Sequence, residues 1–221
     1  MILHLVTDRR RLAGPVPLDE ARRCLLRQVQ YAVDARIDGV IVRERDLEAH
    51  ELVDLTMAIV QLTRGTKTRV LVNDRVDVAL ASGADGVHLR SDSIAPTMIR
   101  RMTPEGFLVG RSVHGVEEAA AATGVDYLIA GTIWASASKQ EGHHLLGLDG
   151  FSAIVRAVRV PVLAIGGVTI DRVGEVAAAG GAGIAAIGIF MDDADRQCRA
   201  VQLDAIASTA RSRFDTSGSR S

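Results

Sequence analysis

The 221-residue sequence predicts a single α/β domain built as a (β/α)8 TIM barrel. Three observations carry that expectation. Short β-branched apolar runs alternate with longer helical patterns, and eight such units fit within roughly 200 residues. Strands such as Val162-Leu163-Ala164-Ile165 are apolar on consecutive residues, as a parallel strand buried on both faces requires. Nearly every expected strand also ends on polar residues or glycine, as the open mouth of a barrel would need. A doubly wound open sheet is the alternative arrangement of the same units.

The expected strands are residues 2–7, 39–43, 69–73, 86–89, 108–112, 127–131, 162–165 and 183–187. The expected helices are 18–35, 48–64, 76–82, 95–102, 116–123, 150–158, 169–179 and 194–213. In the first helix Leu18, Ala21, Leu25, Val29 and Ala32 recur at helical spacing, giving one face to lay on a sheet. In the seventh, Thr169 and Asp171 offer capping chemistry and Gly180-Gly181 a stop. The barrel is expected to span residues 1–213, with the small polar residues 214–221 as a disordered tail.

Charge excludes several partners. Lysine plus arginine number 26 against 27 aspartates and glutamates, so no global basic field exists to hold nucleic acid or an anionic membrane. The longest apolar stretch, residues 176–191, is interrupted by four glycines and is too short to span a bilayer. Residues 1–7 are apolar but run into Asp8-Arg9-Arg10-Arg11 instead of a cleavage site, and read as a first strand. Cys24 and Cys198 stand far apart, so no disulfide framework is expected and the cytoplasm is the expected compartment. A small-molecule partner remains.

The strand ends locate its site. Ile165-Gly166-Gly167-Val168-Thr169 is a strand, a glycine pair and a helix start, and Ile187-Gly188-Ile189-Phe190 repeats the arrangement one strand later. Backbone N–H groups at Gly166, Gly167, Gly188 and Ile189 suit a phosphate, which barrels commonly hold after strands seven and eight. Alternation along strand two turns Arg43 and Arg45 the same way, toward a carboxylate or phosphate. Arg43 could instead join Glu44, Asp74 and Arg75 in a salt-bridge network, and the sequence leaves both open. Residues 131–144 form the longest polar loop, a flap in which Trp134 could cover a ring or plug the rim. The adjacent His143 and His144 are weak evidence for a metal. His114, two residues beyond Ser112 where strand five becomes a loop, is a candidate acid/base because imidazole both takes and gives protons near neutrality.

Several ordered motifs resemble one family. Leu5-Val6-Thr7-Asp8, Val42-Arg43-Glu44-Arg45, Val72-Asn73-Asp74-Arg75, Gly86-Val87-His88-Leu89, Gly110-Arg111-Ser112-Val113-His114, Ser136-Ala137-Ser138-Lys139 and Ala164-Ile165-Gly166-Gly167 together are similar to the thiamine phosphate synthase/TenI superfamily. The resemblance runs from Leu3 to about Phe190 and implies a homodimeric barrel of thiamine biosynthesis. The synthase branch joins a pyrimidine diphosphate to a thiazole phosphate with Mg2+, and carries glutamine-x-arginine-x-lysine on strand two. Here that pattern reads Ile41, Arg43 and Arg45. Asn73 and Asp74 match its pyrimidine and magnesium positions, while the second magnesium aspartate falls on Ser93, with Asp92 one residue away.

The TenI-type thiazole tautomerase branch needs no metal, and its signature is similar to Gly110-Arg111-Ser112-Val113-His114 with the histidine as acid/base. The expectation is therefore an isomerase that aromatises a thiazole carboxylate phosphate and uses no cofactor. His114 would be catalytic, with Arg43, Arg45, Asn73, Ser112, Trp134, Ser136, Ser138, Lys139, Gly166, Gly167, Gly188 and Ile189 on the substrate. The alternatives are the synthase, a transferase with Mg2+ at Asp74 and Asp92, and a phosphate-ligand binder without turnover.

Overall fold

A computed structural model describes residues 1–135, 145–191 and 202–218 and shows eight parallel strands closed into one barrel. The strands are β1 (Ile2–Val6), β2 (Gly39–Val42), β3 (Arg69–Asn73), β4 (Gly86–Leu89), β5 (Leu108–Val113), β6 (Tyr127–Gly131), β7 (Val162–Ile165) and β8 (Gly183–Ala186). β8 pairs back onto β1, with His4 opposite Ala185, so the open sheet is excluded. The helices between and after them are α1 (Arg9–Ala13), α2 (Leu18–Asp34), α3 (Ala49–Thr63), α4 (Val76–Ser82), α5 (Pro96–Arg100), α6 (Val116–Ala121), α7 (Gly147–Ala157), α8 (Val173–Ala178) and α9 (Gln202–Gly218).

Three elements differ from expectation. α1 is an extra short helix within the Asp8-Arg9-Arg10-Arg11 run, where Asp8 accepts from the Arg11 N–H at 3.0 Å and caps it. The segment before α8 is a one-turn 3-10 helix, Ile170–Arg172, and Thr169 gives it no side-chain cap. Part of the segment expected as a disordered tail is helical: α9 continues through Gly218, where Phe214 packs on the core and Arg213 reaches the Asp171 carboxylate. Residues 194–201 of the eighth expected helix and 219–221 of the tail lie outside the described residues.

Strand alternation sorts the core into two layers. Leu3, Leu5, Val40, Val42, Val70, Val72, Val87 and Val109 face outward and bury against the helices. Val6, Ile41, Leu71, Ile129, Leu163 and Ala185 face inward with Tyr127 and fill the barrel. The interior also carries His4 and His88, both buried. Two inward glycines make room for these rings. A Cβ on Gly110 would lie 2.1 Å from Tyr127 Cζ, and one on Gly39 would lie 2.8 Å from the His4 ring.

The N-terminal end of the barrel is closed by a repeated device. The aspartates just before β2, β4 and β6 each accept a backbone N–H from the preceding strand: Asp38 from Leu3 (2.8 Å), Asp85 from Val70 (2.7 Å) and Asp126 from Val109 (2.7 Å). Each also meets an arginine, Arg211 at 3.3 Å, Arg69 at 2.9 Å and Arg100 at 2.5 Å respectively. Arg211 belongs to α9, which thereby ties the end of the chain to the loop before β2. Among the described residues no helix is long and apolar enough to cross a membrane.

Candidate active site

Inward alternation carries one residue per strand to the C-terminal mouth, where a cavity of about 1090 Å³ opens. Arg43, Arg45, Asn73, Ser112, His114, Gly166, Gly167, Gly188 and Ile189 all line it, so most of the expected site residues converge. Ser136, Ser138 and Lys139 lie outside the described residues, as do His143 and His144. Trp134 does not line the cavity. It sits half-buried beside Gly167, with the Arg172 guanidinium 5.1 Å from its ring centroid, and Arg172 lines the cavity instead.

The open question at β2 is resolved by Glu44. Its carboxylate turns away from Arg43 and Arg45, accepts from Arg9 Nη1 at 2.8 Å and from the Arg9 backbone N–H at 3.1 Å, and is buried. Burial pushes Glu44 up from the usual carboxylate range, opposed by hydrogen bonds from Thr7 and Arg9. Arg9 is held above its usual range by Asp46 first and Glu44 second. Arg75 spends its guanidinium on Asp77, at 2.8 and 2.6 Å. The proposed four-residue network therefore does not form. Arg43 is pulled below the usual arginine range by burial and then by neighbouring Arg45, the electrostatic mark of crowded cations at a half-buried site.

Ser112 is fixed from inside the barrel. His88 Nε2 lies 2.9 Å from Ser112 Oγ, and His88 Nδ1 lies 3.1 Å from the Tyr127 hydroxyl. Burial, then His4, lowers His88 to about 3, and burial lowers His4 to about 4 despite Asp38, so both imidazoles are neutral at neutral pH. Burial likewise pushes the Tyr127 phenol up. Neutral His88 is thus a hydrogen-bond partner that aims the serine hydroxyl at the mouth. Sequence reasoning gave His88 no role, although the two-residue period of β4 places it inward opposite Gly110.

His114 is tied down. Its Nδ1 meets the Gly131 carbonyl oxygen, and its backbone N–H donates to Glu118 at 2.8 Å. The ring bridges the ends of β5 and β6, which is a positioning arrangement for the mouth.

At the phosphate end, Gly166 and Gly167 adopt φ of +94° and +63°, and a Cβ on either would strike the loop after β6. The Gly166 carbonyl accepts from Trp134 N–H at 3.1 Å and the Gly167 carbonyl from Arg172 Nη1 at 2.9 Å. A one-turn 3-10 segment directly follows each of these loops, the first running on into α8, and side chains add cationic character. Arg11 supplies one: its Nη2 comes within 3.4 Å of where a Gly188 Cβ would be.

The expected magnesium ligands do not assemble. Asp74, at φ +63°, takes the Ser93 hydroxyl on Oδ1 and has Arg90 Nη1 3.9 Å from Oδ2. Asp92 is bound by Arg90 Nη2 at 2.5 Å with its carboxylate largely exposed, on the outer side of the loop and away from the cavity. Magnesium is commonly held by one or two carboxylates together with substrate phosphates and water, and here both carboxylates already carry partners, Asp74 the Ser93 hydroxyl and Arg90, Asp92 the Arg90 guanidinium. Among the described residues no three His, Cys, Asp or Glu side chains gather as a metal site.

The fold and site define a (β/α)8-barrel protein whose mouth is lined by arginines and two glycine loops. The chain belongs to the thiamine monophosphate synthase family, whose sequence profile matches residues 3–190. It is 37% identical over 206 residues to a putative thiamine-phosphate synthase of Geobacter sulfurreducens, covering 92% of this chain and 93% of that protein. It is 38% identical over 188 residues to the thiamine-phosphate synthase of Roseiflexus castenholzii, covering 84% and 79%. Among solved structures, the thiamine phosphate pyrophosphorylase of Pyrococcus furiosus superposes with a TM-score of 0.78 at 29% identity, covering 96% of each chain. These relatives overturn the expectation of a thiazole tautomerase. His114, on which that expectation leaned, lines the cavity with its Nδ1 held by the Gly131 carbonyl, an arrangement that does not by itself separate the two branches.

Proposed function

We propose that the protein is a thiamine-phosphate synthase, a transferase acting as a cytoplasmic homodimer on hydroxymethylpyrimidine diphosphate and thiazole phosphate. The observation that carries this reading is the pair Arg43 and Arg45 at the mouth, left without Glu44, which Arg9 has taken. Two guanidinium groups in a half-buried site suit a diphosphate, and a cavity of about 1090 Å³ has room for two small substrates.

In the reaction the thiazole nitrogen forms a bond to the pyrimidine methylene carbon. The bond from that carbon to the diphosphate oxygen breaks, and the departing diphosphate keeps the electron pair. Negative charge grows on the leaving group, so fixed cations beside it stabilise the transition state more than the ground state. Arg43 and Arg45 hold the diphosphate, Asn73 orients the pyrimidine by its amide, and Ser112, aimed by His88, hydrogen-bonds the reacting end. Gly166, Gly167, Gly188 and Ile189 hold the thiazole phosphate by backbone N–H groups, with Arg11 and Arg172 at its edge. Trp134, packed on Arg172, fixes that edge from behind.

The test is to incubate the protein with both substrates, with and without Mg2+, and follow thiamine phosphate and pyrophosphate chromatographically. The two products appear in equal amounts at an enzymatic rate. Their absence under both conditions would sink the reading. Light scattering of the purified protein reads the dimer directly.

A further inference from the structure

We infer that the diphosphate end of this mouth is neutralised by guanidinium groups instead of a divalent cation, with Arg90 occupying the sector where a second metal carboxylate would be needed. The inference rests on the synthase reading, and concerns how the same site holds its anion.

Arg90 follows β4 and lines the cavity together with Arg43, Arg45 and Asn73, which follow or end the neighbouring strands β2 and β3. Arg43, Arg45 and Arg90 thus stand around the mouth on or after three successive strands, Arg90 also meeting Asp92 at 2.5 Å. Asp74, the residue after Asn73, is already bonded by Ser93 and lies 3.9 Å from Arg90. A magnesium ion placed against Asp74 would meet the Arg90 charge as well, so the two cations compete for one carboxylate.

The loop after β4 is held in this arrangement. Arg111 donates to the carbonyls of Ser91 (2.7 Å), Ser93 (3.2 Å) and Ile94 (3.0 Å), and the Arg90 N–H donates to Ser93 Oγ at 2.9 Å. Bringing Asp92 inward would break several of these bonds and also its own contact with Arg90. Ser93, which falls where the family resemblance calls for an aspartate, faces Asp74 as a hydroxyl donor. The position that would carry a second negative charge for a metal therefore carries none, and a positive one stands two bonded neighbours away.

Calorimetric titration with inorganic pyrophosphate tests this without turnover. In EDTA the parent protein binds pyrophosphate, and excess Mg2+ tightens binding by less than tenfold. Arg90→Ala weakens binding in EDTA by tenfold or more. Ser93→Asp also weakens it in EDTA, and Mg2+ then restores the affinity. Tightening of the parent by tenfold or more with Mg2+, or an Arg90→Ala variant within tenfold of the parent in EDTA, overturns the inference while leaving the synthase reading intact. A parent that binds pyrophosphate under neither condition overturns the inference, and thiamine phosphate formation from the two substrates then decides whether the synthase reading stands.

Discussion

The two ends of the barrel use the same residue types to opposite effect. At the N-terminal end Asp38, Asp85 and Asp126 each hold a strand N–H and each meet an arginine, so charge is balanced within the fold. At the C-terminal mouth Arg11, Arg43, Arg45, Arg90 and Arg172 line a cavity to which Asp8 contributes the one carboxylate among the described residues, with Asp92 meeting Arg90 at 2.5 Å from outside the lining. Balanced pairs tie strands and loops together; an excess of one sign marks a place where the partner must come from outside. The mouth keeps its excess because Arg9, from α1, withdraws Glu44 into a buried pair.

Substitutions that disturb this contrast separate its parts. The largest expected effect comes from Glu44→Ala, which leaves buried Arg9 with Asp46 alone. Breaking a buried pair costs about 3–5 kcal/mol, and the surviving Asp46 contacts place the loss near the lower end, read by urea unfolding. Next is Arg43→Ala, where removing one charged contact to the diphosphate lowers kcat/KM by roughly a hundredfold. Its melting temperature stays at or above the parent's, since a crowded cation is removed; a matching fall in stability would assign Arg43 to the fold instead.

Between the two ends lie His4 and His88, whose folded pKa values of about 4 and about 3 stand below the unfolded value of 6.5. The sign follows from linkage: the unfolded chain binds protons that the folded chain refuses, so stability is full above pH 6.5 and falls as pH drops toward 3. At pH 5 each histidine costs on the order of 2 kcal/mol relative to neutrality. Urea unfolding of His88→Asn at pH 7 and pH 5 shows a shallower acid loss than the parent, whereas parallel curves would contradict the assignment.

At the opposite end, Asp126→Ala strands the buried Val109 N–H and removes an Arg100 contact, with an expected loss of about 1–3 kcal/mol. At this chain length that lowers the melting temperature by roughly 2–4 °C per kcal/mol, with turnover of the folded enzyme unchanged. Arg75→Ala, which breaks an exposed pair with Asp77, is expected to change stability by less than about 0.5 kcal/mol.

Much of the barrel was legible because strands buried on both faces leave an unbroken apolar signature. The expected bounds of 69–73, 86–89, 127–131 and 162–165 coincide with β3, β4, β6 and β7. The two-residue period also brought Arg43, Asn73 and Ser112 to one mouth. What the sequence hid were contacts across long separations. Nothing local shows that Arg9 would reach Glu44, so the three-arginine run was assigned no element, where the structure has a helix with one buried guanidinium. The branch expectation failed on a different ground: it leaned on a few positions, His114 first among them, whereas the synthase relatives match over most of the chain. Ile41 also weighed toward the tautomerase, yet it packs in the barrel interior as one apolar member among seven.

The arginine-lined mouth has a consequence in time as well as in affinity. The whole chain carries a formal net charge of −1, so at a distance the molecule presents almost no net field. Close to the mouth an anion meets several positive charges set in a low-dielectric funnel, and field lines concentrate there. That attraction reaches only about 8 Å at physiological ionic strength. An anionic substrate therefore finds the entrance by ordinary diffusion and is captured in its last steps, at an on-rate that falls as salt is added.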